Sequence, residues 1–174
     1  MKTIVVIFLP LLLAGCTASN PQPAVIYRYV PQPAMAELVR EGPNGQTPLV
    51  ALVWVRREEA SEGHPPAIHI HLRFENRGTV AVRFDPASLQ LETGSLRPFP
   101  PPRVDPPHVI ELAPGQTPEI DALFPFTGVA SDPSLNADHL RLRWQVQVQG
   151  QKVPQDATFQ RVALPPPPPA WAGP

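Results

Sequence analysis

Residues 139–149 read His-Leu-Arg-Leu-Arg-Trp-Gln-Val-Gln-Val-Gln, with an apolar side chain at every second position. Leu140, Leu142, Trp144, Val146 and Val148 fall on one face of an extended chain, and the polar residues on the other. A helix would scatter these five around its axis. The stretch is therefore expected to be a strand with one face in a core. Ala67 to Asn76 repeats the pattern, with Ile68, Ile70, Leu72 and Phe74 turned in and His69, His71, Arg73 and Glu75 turned out. Leu49 to Arg56 is apolar on both parities, as a strand covered on both sides would be.

Turn signals separate further short runs. Asn76-Arg77-Gly78 precedes Val80, Val82 and Phe84, and Asp85-Pro86 breaks that run. Leu89 and Leu91 resume on the other parity, which implies a bulge or a strand switch. Val109 to Leu112, Glu119 to Phe124, and Ala157 to Leu164 after Gly150 complete the set. One helical turn is expected within Ser131 to Asp138. Seven or eight antiparallel strands between residues 48 and 164 predict an all-β sandwich as a single domain.

Composition agrees. Of 174 residues 27 are Pro, roughly three times ordinary usage, which excludes a mostly helical fold. The 14 basic and 15 acidic residues leave a net charge of −1, so no field of one sign exists to attract nucleic acid or an anionic membrane surface. The lone Cys excludes an intramolecular disulfide and a multi-cysteine metal centre.

The order of motifs resembles bacterial immunoglobulin-like lipoprotein domains. The features that match are Phe74-Glu75-Asn76-Arg77-Gly78, Phe84-Asp85-Pro86, and Leu112-Ala113-Pro114-Gly115 ahead of a strand ending at Phe124. The resemblance implies an immunoglobulin-like sandwich in a cell envelope and no particular activity, because sandwiches host many functions.

The N-terminus resembles a lipoprotein leader. Lys2 supplies a positive start, and Ile4 to Ala14 is an uncharged apolar run, interrupted only by Pro10 and too short to span a bilayer. It ends in Leu13-Ala14-Gly15-Cys16, which is similar to the lipobox of bacterial lipoproteins. The resemblance implies cleavage before Cys16, acylation of its thiol, and attachment to a membrane by acyl chains alone. Thr17 stands where an Asp would imply inner-membrane retention, so in a Gram-negative cell the implied address is the outer membrane, facing the periplasm.

Residues 1–15 are thus expected as a signal peptide, and 16–47 as the lipidated Cys and a proline-rich tether. Within that tether Pro21-Gln22-Pro23-Ala24 recurs as Pro31-Gln32-Pro33-Ala34. The segment between the copies, with Tyr27 and Tyr29, is either a docking peptide or a piece that packs on the domain. Pro98 to Pro107 is expected to cross the surface as an extended loop. Residues 165–174, five prolines followed by Ala-Trp-Ala-Gly-Pro, are expected as a polyproline tail with Trp171 as its one large anchor.

Candidate chemistry is sparse. His69 and His71 share a strand face with His64 upstream, and such imidazoles can ligate zinc or copper if Glu75 or His139 adds a third ligand. Asp85, Asp105, Asp121 and Asp132 are assigned to turns or loops. Arg141 and Arg143 with Gln145, Gln147 and Gln149 form a polar stripe suited to a glycan, a peptide or plain solvent. No catalytic elbow, zinc-protease motif or phosphate-cradling glycine loop is present in the sequence. The expectation is a non-catalytic, lipid-anchored envelope protein with no cofactor and no nucleic-acid partner, serving a protein-binding or accessory structural role. The alternative is a periplasmic lipoprotein that binds metal or a small ligand through His64, His69 and His71.

Overall fold

The computed structural model describes residues 27–42, 45–59, 61–62, 64–125 and 137–165. Eleven strands account for most of them. They are β1 (Tyr27–Val30), β2 (Ala34–Gly42), β3 (Gly45–Glu58), β4 (Ala67–Asn76), β5 (Val82–Phe84), β6 (Gln90–Thr93), β7 (Arg103–Asp105), β8 (Ile110–Leu112), β9 (Glu119–Pro125), β10 (His139–Val148) and β11 (Gln151–Ala163).

The strands form two antiparallel sheets. One has six strands in the order β1-β11-β10-β5-β8, with β6 also paired to β10; the other has five in the order β2-β3-β4-β9-β7. The expected sandwich is therefore what the chain builds. Its core lies between the inward faces that alternation assigned. Ile68, Ile70, Leu72 and Phe74 of β4 are sealed from solvent, as are Leu142, Trp144 and Val146 of β10. Phe74 and Phe84 meet across the two sheets with ring centroids 4.9 Å apart.

Asn76 ends β4 inside this core. Its amide Nδ2 donates to the carbonyls of Val80 at 2.9 Å and Leu112 at 2.8 Å, and its Oδ1 accepts from the Gly78 amide at 3.0 Å. A buried amide is tolerable only when satisfied in this way. The arrangement explains why an Asn closes an otherwise apolar inward row, and it ties the β4 turn to β8.

The parity change after Phe84 is a strand switch. A 3-10 turn at Pro86–Ser88, capped by the Asp85 carboxylate accepting from the Ala87 amide, resets the chain. β5 then pairs with Val146–Val148 and β6 with Leu140–Arg143, so the two occupy successive lengths of one edge of β10.

Three expectations change. Nine strands, β3 to β11, stand in the span where seven or eight were expected, and β1 and β2 precede it. The tether assigned to residues 16–47 overlaps β1 and β2, which pair with β11 and β3. Tyr27–Val30, the described part of the segment between the proline repeats, therefore packs as part of the fold, with Tyr29 buried and Tyr27 half exposed. The surface loop Pro98 to Pro107 contains β7, a short edge strand on β9 whose residues Arg103–Asp105 fall between the prolines. The helical turn within Ser131 to Asp138 falls almost wholly outside the described residues.

Candidate functional site

The outer face of the five-stranded sheet carries the histidines. Because His69 and His71 alternate with buried residues, both rings emerge on the solvent side of β4. The pairing register sets Arg56 across from His69 and Trp54 across from His71 on β3, and Asp121 across from His71 on β9. A connected network results. Arg56 Nε donates to His69 Nδ1 at 2.7 Å, and His69 Nε2 lies 2.7 Å from Asp121 Oδ1. His71 Nδ1 reaches the same oxygen at 3.1 Å.

The geometry assigns the His69 tautomer. A guanidinium can only donate, so Nδ1 accepts and Nε2 carries the proton given to Asp121. Glu58 Oε1 lies 2.9 Å from Arg56 Nη2 and 3.3 Å from His69 Nδ1. The Trp54 and His71 rings are tilted at 52° with centroids 5.4 Å apart. At Asp121 burial pushes the carboxyl pKa up, but hydrogen bonds from His71 and His69 and their charges outweigh it, and the net shift is downward.

This network is not the ligand set the sequence suggested. His64 turns its Nδ1 toward the Glu62 carbonyl, at 3.1 Å, in a separate bridge with Ser61. Glu75 takes Arg77 at 2.6 Å, and His139 belongs to β10 in the other sheet. The third partner of His69 and His71 is Asp121, which sits within β9 and not in a turn. Arg56 was also missed, and it places a permanent cation against His69 Nδ1. Among the described residues, no group of three or more His, Cys, Asp or Glu side chains stands ready to hold a metal ion.

The polar stripe of β10 is largely engaged within the chain. Arg141 pairs with Asp156 at 3.1 Å, Arg143 with Glu92 at 3.2 Å, and Gln147 donates to the Gly150 carbonyl at 3.1 Å. That is how a solvated strand face arranges itself.

A second feature lies where the chain enters the fold. Arg28, Arg56, Arg57 and Arg161 line one cleft of about 520 Å³, with Glu59 the one acid among its lining residues. The Arg161 guanidinium sits 4.4 Å from the centre of the Tyr27 ring. Tyr29 lies beneath, and its hydroxyl has no hydrogen-bond partner among the described residues. Burial pushes the Tyr29 phenol upward in pKa, against the pull of Arg161 and Arg57. Gln32, another lining residue, donates to the Val55 carbonyl.

Cys16, Asp132 and Trp171 lie outside the described residues. Among the described residues no helix is long and apolar enough to cross a membrane.

No family model matches the chain. No curated protein matches it either. A solved Bordetella pertussis protein designated ApaA aligns over 68% of this chain and 93% of its own, at 14% identity and a TM-score of 0.37. A likeness of that size says nothing about function.

Proposed function

We propose that this chain is a lipoprotein of the bacterial cell envelope, anchored through acyl chains on Cys16, whose sandwich serves a non-catalytic role as a protein-binding or accessory structural module. The observation that carries the reading is the leader: Lys2, the apolar run from Ile4, and Leu13-Ala14-Gly15-Cys16 at its end. Two or three acyl chains on one residue give a lasting hold, because each buried methylene adds about 0.8 kcal/mol. The fold adds a constraint. β1 begins at Tyr27, so a fully extended link from Cys16 would reach at most about 40 Å at ~3.3–3.6 Å per residue. The sandwich would be held close to the bilayer. In a Gram-negative cell Thr17 favours the outer membrane.

The test is fractionation of Cys16→Ser against wild type in the native host. Wild type should stay with membranes in detergent-free extracts. The variant should appear in the soluble fraction or accumulate unprocessed. Wild-type protein found free in such extracts would end the reading.

A further inference from the structure

The His69 ring stands between two neighbouring strands. Its Nε2 lies 2.7 Å from Asp121 Oδ1 on β9, and its Nδ1 lies 2.7 Å from Arg56 Nε on β3. A second group of β3 is near that same Nδ1: Glu58 Oε1, at 3.3 Å. This nitrogen therefore has a donor and an acceptor within reach, and its proton decides between them. A bare Nδ1 can only accept, from Arg56. A protonated Nδ1 can only donate, to Glu58.

We propose that this cluster is a proton-operated switch, in which His69 exchanges Arg56 for Glu58 as its hydrogen-bond partner when Nδ1 takes up a proton from solvent. Protonation sets the new N–H against the Arg56 Nε–H, two donors with no acceptor between them, so one side chain must move. His69 is 15% exposed and fixed at its other nitrogen by Asp121, whereas Arg56 is 68% exposed. The arginine is the one that turns, still held to Glu58 through Nη2 at 2.9 Å. His69 then bridges two carboxylates, Asp121 on one flanking strand and Glu58 on the other, each bond strengthened by charge.

The other charged groups of this face offer Nδ1 no different partner. His71, on the same strand, turns its own Nδ1 to Asp121 Oδ1 at 3.1 Å. A carboxylate only accepts, so that nitrogen carries a proton whether the ring is neutral or charged, and His71 keeps its partner. Arg103 and Asp105 lie on β7, across from Leu123 and Asp121 and thus on the far side of β9 from His69. Imidazole is the side chain that changes charge between about pH 5 and 8, so the exchange makes the outer face of the five-stranded sheet respond to mild acidification.

The experiment is nitrogen-15 NMR of the full chain carrying Cys16→Ser, titrated from about pH 8 to about pH 5. At the upper end His69 should show a bare Nδ1 and a protonated Nε2, and His71 the reverse. A scalar coupling between Arg56 Nε and His69 Nδ1 should report the bond that joins them. On acidification that coupling should vanish as the His69 Nδ1 signal moves to its protonated position, while the His71 Nδ1 signal stays protonated throughout. In acid, Glu58→Ala should let the His69 Nδ1 proton exchange with water roughly tenfold faster than in the unsubstituted chain, the worth of one charge-assisted hydrogen bond. Glu58 is partly exposed near the end of β3, so the strand tolerates the change. No coupling at the upper pH, or His69 found with its proton on Nδ1 there, would overturn the proposal without any variant. Equal exchange rates in acid with and without Glu58 would overturn the exchange of partners.

Discussion

Tyr27, on the first strand, lies directly across from Ala163, on the last. The chain enters and leaves the sandwich at one end, and β1 is held by the strand that precedes the proline tail. Anything attached before Tyr27 therefore shares that end with Pro165. The pairing also makes residues 27–30 part of the six-stranded sheet, which is open to direct test.

Tyr29→Ala should cost roughly 3–5 kcal/mol, because a buried aromatic is lost from the core. Tyr27→Ala should cost about 1 kcal/mol or less, since a half-exposed ring gives up its contact with Arg161 and little more. Tyr29→Phe should be neutral or stabilising by about 1 kcal/mol, because it removes a buried hydroxyl that lacks a partner. Urea unfolding of the three variants checks the order. Equal, small losses for both alanine variants would return this segment to the tether.

Trp144→Ala should cost roughly 3–5 kcal/mol, as Trp144 is among the largest fully buried side chains. Arg143→Ala, next to it on the solvent face, should cost under about 1 kcal/mol, the range of an exposed ion pair. Similar midpoint shifts in denaturant would mean the two faces of β10 are reversed.

These faces were legible because alternation needs only the strand's own residues. Ala67–Asn76 matches its expected bounds, and His139–Val148 falls one residue short of its own. β2 and β7 were not legible. Proline pairs around β2 and through Pro98 to Pro107 suggest an extended spacer; β7, at three residues, is too short to offset that signal, and β2, at nine, carries apolar residues on both parities, Met35 and Val39 as well as Ala36 and Leu38. Asp121 and Arg56 were missed for a different reason. Each meets the histidines only through pairing register, and a single strand's sequence carries no record of its neighbours' alignment. The lone local clue was that Asp121 shares a parity with Glu119 and Leu123 in an alternating run.

Asn76→Asp should be strongly destabilising, by roughly 3–5 kcal/mol. A carboxylate cannot donate to the Val80 and Leu112 carbonyls, and it would bring a charge into the core. Thermal unfolding at neutral pH is the check. A loss below about 1 kcal/mol would remove Asn76 from its proposed role in joining the β4 turn to β8.

The Asp121 carboxyl is shifted below its ordinary value, so its partners favour the charged form in the folded state. The stability it adds is fully present above the ordinary carboxylate pKa of about 3.9, and it is lost as pH falls through the lower folded value. Asp121→Asn should therefore be less stable than wild type at neutral pH, with the gap closing in acid. A gap that stays constant across acid pH would show that the network adds no charge-dependent stability.

Intact mass measurement of the mature protein, extracted with detergent from membranes of its native host, tests the central claim most directly. The account predicts a chain that begins at Cys16 and carries the added mass of a diacylglyceryl group, with or without an amide-linked acyl chain. A mature chain that begins elsewhere, or that retains Cys16 as an unmodified thiol, would contradict it.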